Sequence, residues 1–285
     1  MSSTPSPGKG RQSKTERRDA AREQARALRE QQAKRDRRNK ILGISILGAA
    51  VVALIAVVVV IIAQRPDDAE ALPEYPDTPL SEVAVVPSVA LEDGGIPVGA
   101  EGVGAPVDDS VARVDVYLDY MCPACGAFED ANGDNLISLA SEGEATVVYH
   151  PVSILNRFSN GTGYSTRAAA ASALVAQDAP EQFATFNQQL FAGQPDEGTN
   201  GLTNEEIADI ARDAGVAGAV ADDIADGTAL DQFGQWVTSA TNEVTANEAL
   251  FNAQSGSFGT PTITIDGTLW TEDWTDPDAL LQAIG

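Results

Sequence analysis

The run Tyr117-Leu118-Asp119-Tyr120-Met121-Cys122-Pro123-Ala124-Cys125-Gly126-Ala127-Phe128 decides how this sequence folds. Just before it, Val114, Val116 and Leu118 alternate with Arg113, Asp115 and Tyr117, the period of two that marks a strand over Ala112 to Leu118. Just after it, Ala127, Phe128, Leu136 and Ile137 fall at helical spacing, and Pro123 stands in a first turn, where its missing N–H costs nothing. A helix is therefore expected from the cysteines towards Ala140, weakened in its middle by Gly133. Ala145 to His150 reads as a second strand, which makes the unit β-α-β.

The chain has two cysteines, and only Pro123 and Ala124 separate them. A disulfide between them closes so short a ring that it staples nothing, and a purely structural role gains little. Half of a zinc site is the other ordinary use of such a pair. It needs two more soft ligands, and the chain offers only His150, so no metal is assigned. A cysteine at a helix N-terminus faces unpaired N–H groups and the positive end of the dipole, which favour the thiolate that attacks disulfides. Cys122 is read as the outer, attacking sulfur and Cys125 as the resolving one. No imidazole lies between them, so the helix end must do most of the acidifying. That contributes about 0.3–2 kcal/mol, or about one pKa unit, so Cys122 should be moderately acidic, its pKa not below about 4, and the pair a mild oxidant.

Further along, Ala168 to Gln177, Glu181 to Phe191, Asn204 to Ala214, Val216 to Ile224 and Ala229 to Leu250 carry apolar residues at helical spacing, divided by Gly, Asp, Asn or Pro. Strands resume at Thr262 to Ile265, turn at Asp266-Gly267, return through Thr268 to Trp270, and a short helix over Pro277 to Ile284 follows. The expected architecture is α/β, with a helical insertion at about 165–250 between a β-α-β half and a β-β-α half.

Gly259-Thr260-Pro261-Thr262 opens the last hairpin. Alone it is an ordinary turn before a strand. Together with a strand entering a C-P-x-C helix and with the helical insertion, it resembles the DsbA-like branch of the thioredoxin superfamily, especially the membrane-tethered forms of high-GC Gram-positive bacteria. The resemblance covers 111–285, and Tyr117 to Phe128 carry most of it. It implies a thioredoxin-like fold, catalytic Cys122 and Cys125, supporting Pro123 and Ala124, and no cofactor. It also implies that Pro261 is cis and faces the sulfurs, so that the backbone of Thr260 can pair with an extended substrate. The pattern departs from the family at the position six before Cys122, where a buried acid often relays a proton, because Val116 stands there. Asp119 is close enough in sequence to serve as a relay through water, but it is read first as an exposed loop acid or a helix cap, and the relay is left unassigned. His150 is read as structural or superficial. Trp270, Trp274, Phe251 and Phe258 are read as core packing, with an apolar rim near Pro261 as the alternative.

The N-terminal part is of another character. Residues 1–40 carry 13 Lys or Arg against 5 Asp or Glu, a net of +8 out of a whole-chain charge of −24, which leaves −32 on the rest. Ile41 to Ala63 is 23 residues without a charge, about 34 Å as a helix, enough to span a bilayer. The basic flank precedes it, so the positive-inside bias puts the tail in the cytoplasm and the acidic part outside. A cleaved signal peptide is the rival reading, with Ala69-Glu70-Ala71 as its site, although signal peptides have apolar cores of about 7–15 residues. Residues 64–110, rich in Pro and acids, are expected to be an extracytoplasmic spacer before the domain at 111–285. Within them, Val83 to Val86 and Gly94 to Val98 are candidates for an added edge strand.

No Lys follows Lys40, so the distal part cannot neutralise a row of phosphates and nucleic acid is excluded as its partner. The expected partners are the bilayer, through 41–63, and reduced exported proteins that would receive the Cys122–Cys125 disulfide. The resembling systems add a quinone-linked membrane thiol oxidase that would restore it. A reductase or isomerase working outside the membrane, and a non-catalytic module that only binds peptides, remain as alternatives.

Overall fold

A computed structural model describes residues 72–285. The basic tail, the apolar stretch 41–63 and the start of the spacer lie outside the described residues, and among the described residues no helix is long and apolar enough to cross a membrane.

A mixed sheet of six strands forms the centre, in the order β2-β1-β4-β3-β5-β6. Its strands are β1 (Ile96–Gly99), β2 (Gly102–Val103), β3 (Ala112–Leu118), β4 (Ala145–Pro151), β5 (Thr262–Ile265) and β6 (Thr268–Trp270). β3 and β4 are parallel, with Val116 opposite Tyr149 and Leu118 opposite Pro151. Such a pair needs a crossover, and α1 (Pro123–Glu142) provides it. β5 runs antiparallel to β3, with Val116 opposite Ile263. That pairing brings the residues just before Thr262 alongside the end of β3, where the cysteines follow.

The insertion consists of α2 (Tyr164–Asp178), α3 (Phe183–Ala192), α4 (Asn204–Asp213), α5 (Gly218–Ala225) and α6 (Thr228–Ala246). The Ala168–Ala171 run in α2 is buried on all sides, and its small side chains let neighbouring helices come close. Thr203 caps α4 through a capping box with Glu206. α6 stops four residues short of the expected Leu250, because Asn247 turns extended and caps a short 3-10 turn instead. α7 (Pro277–Ile284) begins at the Asp276 cap.

The spacer expected over 64–110 is corrected from residue 72 onward, because that stretch belongs to the domain. Leu80 is buried, the hydroxyl of Ser239 on α6 donates to the Thr78 carbonyl at 2.7 Å, and Gln235 donates to that of Pro76 at 3.1 Å. This strap continues into β1, whose four residues are all buried and which pairs antiparallel with β4. Gly95 lies so close to Val148 and His150 that an added Cβ would overlap them. The candidate strand at Gly94 to Val98 thus becomes β1, although it lies inside the sheet with β2 at the edge, and Val83 to Val86 forms no strand.

Both faces of β3 are covered. Val114, Val116 and Leu118 face the main core, while Asp115, 4% exposed, lies on the other side. There Asp115 accepts from Arg113 at 2.6 Å and from the Thr264 hydroxyl at 3.0 Å, and it lies 2.9 Å from His150 Nε2. The His150 ring stacks on Tyr117 with centroids 4.2 Å apart. Asp93, Asp115 and His150 are close enough together to hold a cation, and the Arg113 guanidinium already stands 2.6 Å from each carboxylate.

Candidate active site

Cys122 is the N-cap residue of α1, with Pro123 in the first helical position, as the missing N–H of proline allows. Pro123 is exposed and Ala124 half-buried, whereas Cys122 is 7% exposed and Cys125, a turn further in, 1%. Both cysteines are thiols. Antiparallel pairing of β5 with β3 carries the Gly259–Pro261 loop to the same place, where the Cys122 thiol donates to the Thr260 carbonyl at 3.2 Å. The Thr260–Pro261 bond is cis. Cys122, Cys125, Thr260 and Pro261, far apart in sequence, thus share one site.

The two sulfurs differ in acidity. The hydrogen bond from the Cys125 thiol is the largest influence pulling Cys122 down, to about 6, against partial burial; the Thr260 side chain and the N–H groups of Cys125 and Ala124 assist. Burial pushes Cys125 well above the ordinary thiol value, and its place beside the Cys122 sulfur raises it further. The helix end was expected to supply most of this effect. The backbone N–H groups do contribute, but the neighbouring thiol contributes more.

Asp119 corrects a second expectation, because it is completely buried rather than exposed. Its Oδ1 accepts from the Met121 N–H and its Oδ2 from the Leu155 N–H, both at 2.9 Å, which pins the loop before the cysteines to the chain after β4. Burial raises its carboxyl to about 6, and the nearby Cys122 sulfur adds to the rise. A loop acid next to a turn looks exposed in any sequence; the burial comes from chain brought up after β4, whose Leu155 N–H bonds the carboxylate.

Several neighbours carried no sequence signal. The Tyr120 hydroxyl, buried, bridges Ser172 Oγ at 2.7 Å and Asn187 Oδ1 at 2.8 Å, joining the active-site loop to the insertion. Gln194, two residues past α3, donates from Nε2 to the carbonyls of Tyr120 at 2.8 Å and Cys122 at 3.0 Å. Glu129, one turn after Cys125, is 6% exposed, and burial lifts its carboxyl to about 7. That carboxyl folds back over Gly133, where a Cβ would stand 2.6 Å from Oε1. The glycine that weakens the helix is the space the acid occupies. Trp274 packs edge-on to Phe128 and Phe258 edge-on to Tyr117, so both take part in packing around the site.

Known proteins resemble this chain in sequence and fold. The profile of the family described as Thioredoxin matches residues 107–284. The serine/threonine-protein kinase PknE of Mycobacterium tuberculosis is 34% identical over 190 residues, 64% of this chain and 31% of the kinase, so the chain spans about a third of the length of the curated relatives it matches. Reduced DsbA from Mycobacterium tuberculosis superposes with a TM-score of 0.54 and 28% identity, over 67% of this chain and 90% of that one. Reduced DsbG, a disulfide bond oxidoreductase of the same organism, gives 0.54 and 29%, over 69% and 88%. The C-P-x-C helix facing a cis-proline loop, the helical insertion and these matches agree, and the chain belongs to the thioredoxin superfamily, in its DsbA-like branch of disulfide oxidoreductases.

Proposed function

We propose that this protein works outside the cytoplasmic membrane as a thiol–disulfide oxidoreductase, donating its Cys122–Cys125 disulfide to exported proteins during oxidative folding. The observation that carries this is the placement of Cys122 at the N-cap of α1, its sulfur 3.2 Å from the Thr260 carbonyl beside a cis-proline, with Cys125 buried a turn further in; the acidity of the two sulfurs, lowered at Cys122 and raised at Cys125, follows that geometry. A substrate thiolate attacks the Cys122 sulfur, the Cys122–Cys125 bond breaks, and Cys125 leaves and takes up a proton. A second substrate thiolate then attacks the substrate's own sulfur in the mixed disulfide and releases Cys122 as a thiolate. The substrate loses two electrons and the pair gains them. A stabilised Cys122 thiolate favours the reduced form, and so makes the disulfide an oxidant.

The Thr260 carbonyl, facing the Cys122 sulfur beside a cis-proline, is placed to pair with an extended substrate backbone once a mixed disulfide forms. The basic tail and apolar stretch of the sequence support a single anchor at 41–63 with the tail in the cytoplasm. An acceptor for the electrons is then required, and a quinone-linked thiol oxidase in the same membrane has the right chemistry. Two measurements test the reading together. Equilibration of the full chain with glutathione should give a potential well above that of thioredoxin, about −270 mV, and Cys125→Ala should trap reduced exported proteins on Cys122. A thioredoxin-like potential, or capture of a reducing membrane donor, would instead make the protein a reductase.

A further inference from the structure

Gln194 reaches the redox helix from outside it. Gly193 donates its N–H to the Gln189 carbonyl and Gln194 its own to that of Phe191, so the side chain leaves a fixed helix end. Its amide passes over Gly126, where a Cβ would stand 2.8 Å from Oε1, so a residue without a side chain at 126 is what admits it. Nε2 then meets the carbonyls of Tyr120 and Cys122. The Cys122 carbonyl also receives the N–H of Cys125 at 2.9 Å and of Gly126 at 3.2 Å. Three donors therefore share an oxygen with two lone pairs. One of the three, the Cys125 N–H, is also a partner of the Cys122 sulfur.

We propose that Gln194 is a positioning residue for Cys122: by satisfying the Cys122 carbonyl from the helical insertion, it frees the Cys125 N–H to turn to the sulfur when the thiolate forms. Gly126 and Gln194 are then enough for the carbonyl, and the Cys125 N–H serves the anion. The same amide offsets the partial negative charge of the carbonyl of Cys122 itself and of Tyr120 two residues before it. The insertion thereby acts on the reacting atom without touching it. This inference rests on Cys122 being the attacking sulfur.

The test uses the full-length reduced chain and the pH profile of Cys122 alkylation, checked by thiolate absorbance. Gln194→Met keeps the length of the side chain and removes its donors, and the Cys122 pKa should rise by about half a unit to one unit. Gly126→Ala puts a helix-favouring residue where the amide lies, should shift the profile the same way, and serves if Gln194→Met does not fold. A staple that only adds stability would lower the unfolding midpoint and leave the profile where it is. Unchanged profiles in folded variants, with a wild-type Cys122 that is acidic, would overturn the inference and leave the proposed function standing. A wild-type Cys122 that titrates as an ordinary thiol would instead count against the function itself.

Discussion

The thiol of Cys125 is the largest influence lowering Cys122, and removing it should be visible in the acidity of the sulfur that remains. In Cys125→Ala the donor is lost and the helix N–H groups stay. A hydrogen bond to a charged group contributes about 1.5–3 kcal/mol, or about one to two pKa units, so Cys122 should move from about 6 to about 7–8. The shift also bears on stability. Cys122 is depressed in the folded state, so its contribution to the reduced protein is complete above the unfolded thiol value, 9.0, and is lost as pH falls through 6. Between pH 5 and pH 7 the wild type should gain about 1.4 kcal/mol from this group, and Cys125→Ala about a third of that or less. Thiolate absorbance against pH gives the first quantity and urea unfolding at the two pH values the second. A Cys122 that still titrates near 6 in Cys125→Ala would refute the reasoning and return the effect to Thr260 and the helix terminus.

Glu129, raised to about 7 by burial, costs stability when ionised, so its contribution is complete below pH 4.5 and is lost as pH rises through 7. Glu129→Gln should therefore stabilise the protein at pH 9 by up to about 3 kcal/mol and change little at pH 5, as urea unfolding would measure. Gly133→Ala should destabilise the wild type by about 1–3 kcal/mol through its collision with the Glu129 carboxyl. In a Glu129→Ala background the same change should be neutral or favourable, and additivity in a thermal double-mutant cycle would argue against that contact. Leu80→Ala should cost about 2–3 kcal/mol in urea unfolding if the strap is part of the core, and nothing measurable if it is a solvated spacer.

The elements that hold the chemistry could be read from the sequence because each has its own period or punctuation. β3 alternates, α1 opens on a proline, and the last hairpin turns at Asp266-Gly267, both of which take positive φ. The cysteines and the Thr260-Pro261 dipeptide were legible for the same reason, being short motifs with fixed neighbours. What was hidden depends on contact between segments with no pattern of their own. The strap is broken up by its prolines and its burial is decided by α6, whereas β1 falls on the Gly94 to Val98 stretch that was a candidate strand, and only its place inside the sheet, between β2 and β4, was hidden. Gln194 lies 72 residues after Cys122 in an irregular stretch, so nothing local marks its amide as a partner of the site. Asp119 looks like any loop acid until the chain after β4 brings the Leu155 N–H to its carboxylate.

β4 is buried along its whole length and is paired on both sides, by β3 and by β1. Without residues 94–103 one of its edges would present open N–H and C=O groups on a strand that is buried on both faces, a template for another chain. The short strands β1 and β2 therefore act as an edge guard. The guard has little exposed edge of its own, because β2 is two residues long and Pro97 has no N–H to offer. A fragment starting at residue 111, the domain boundary expected from the sequence, would keep both cysteines and the cis-proline loop and should still aggregate or swap strands between copies.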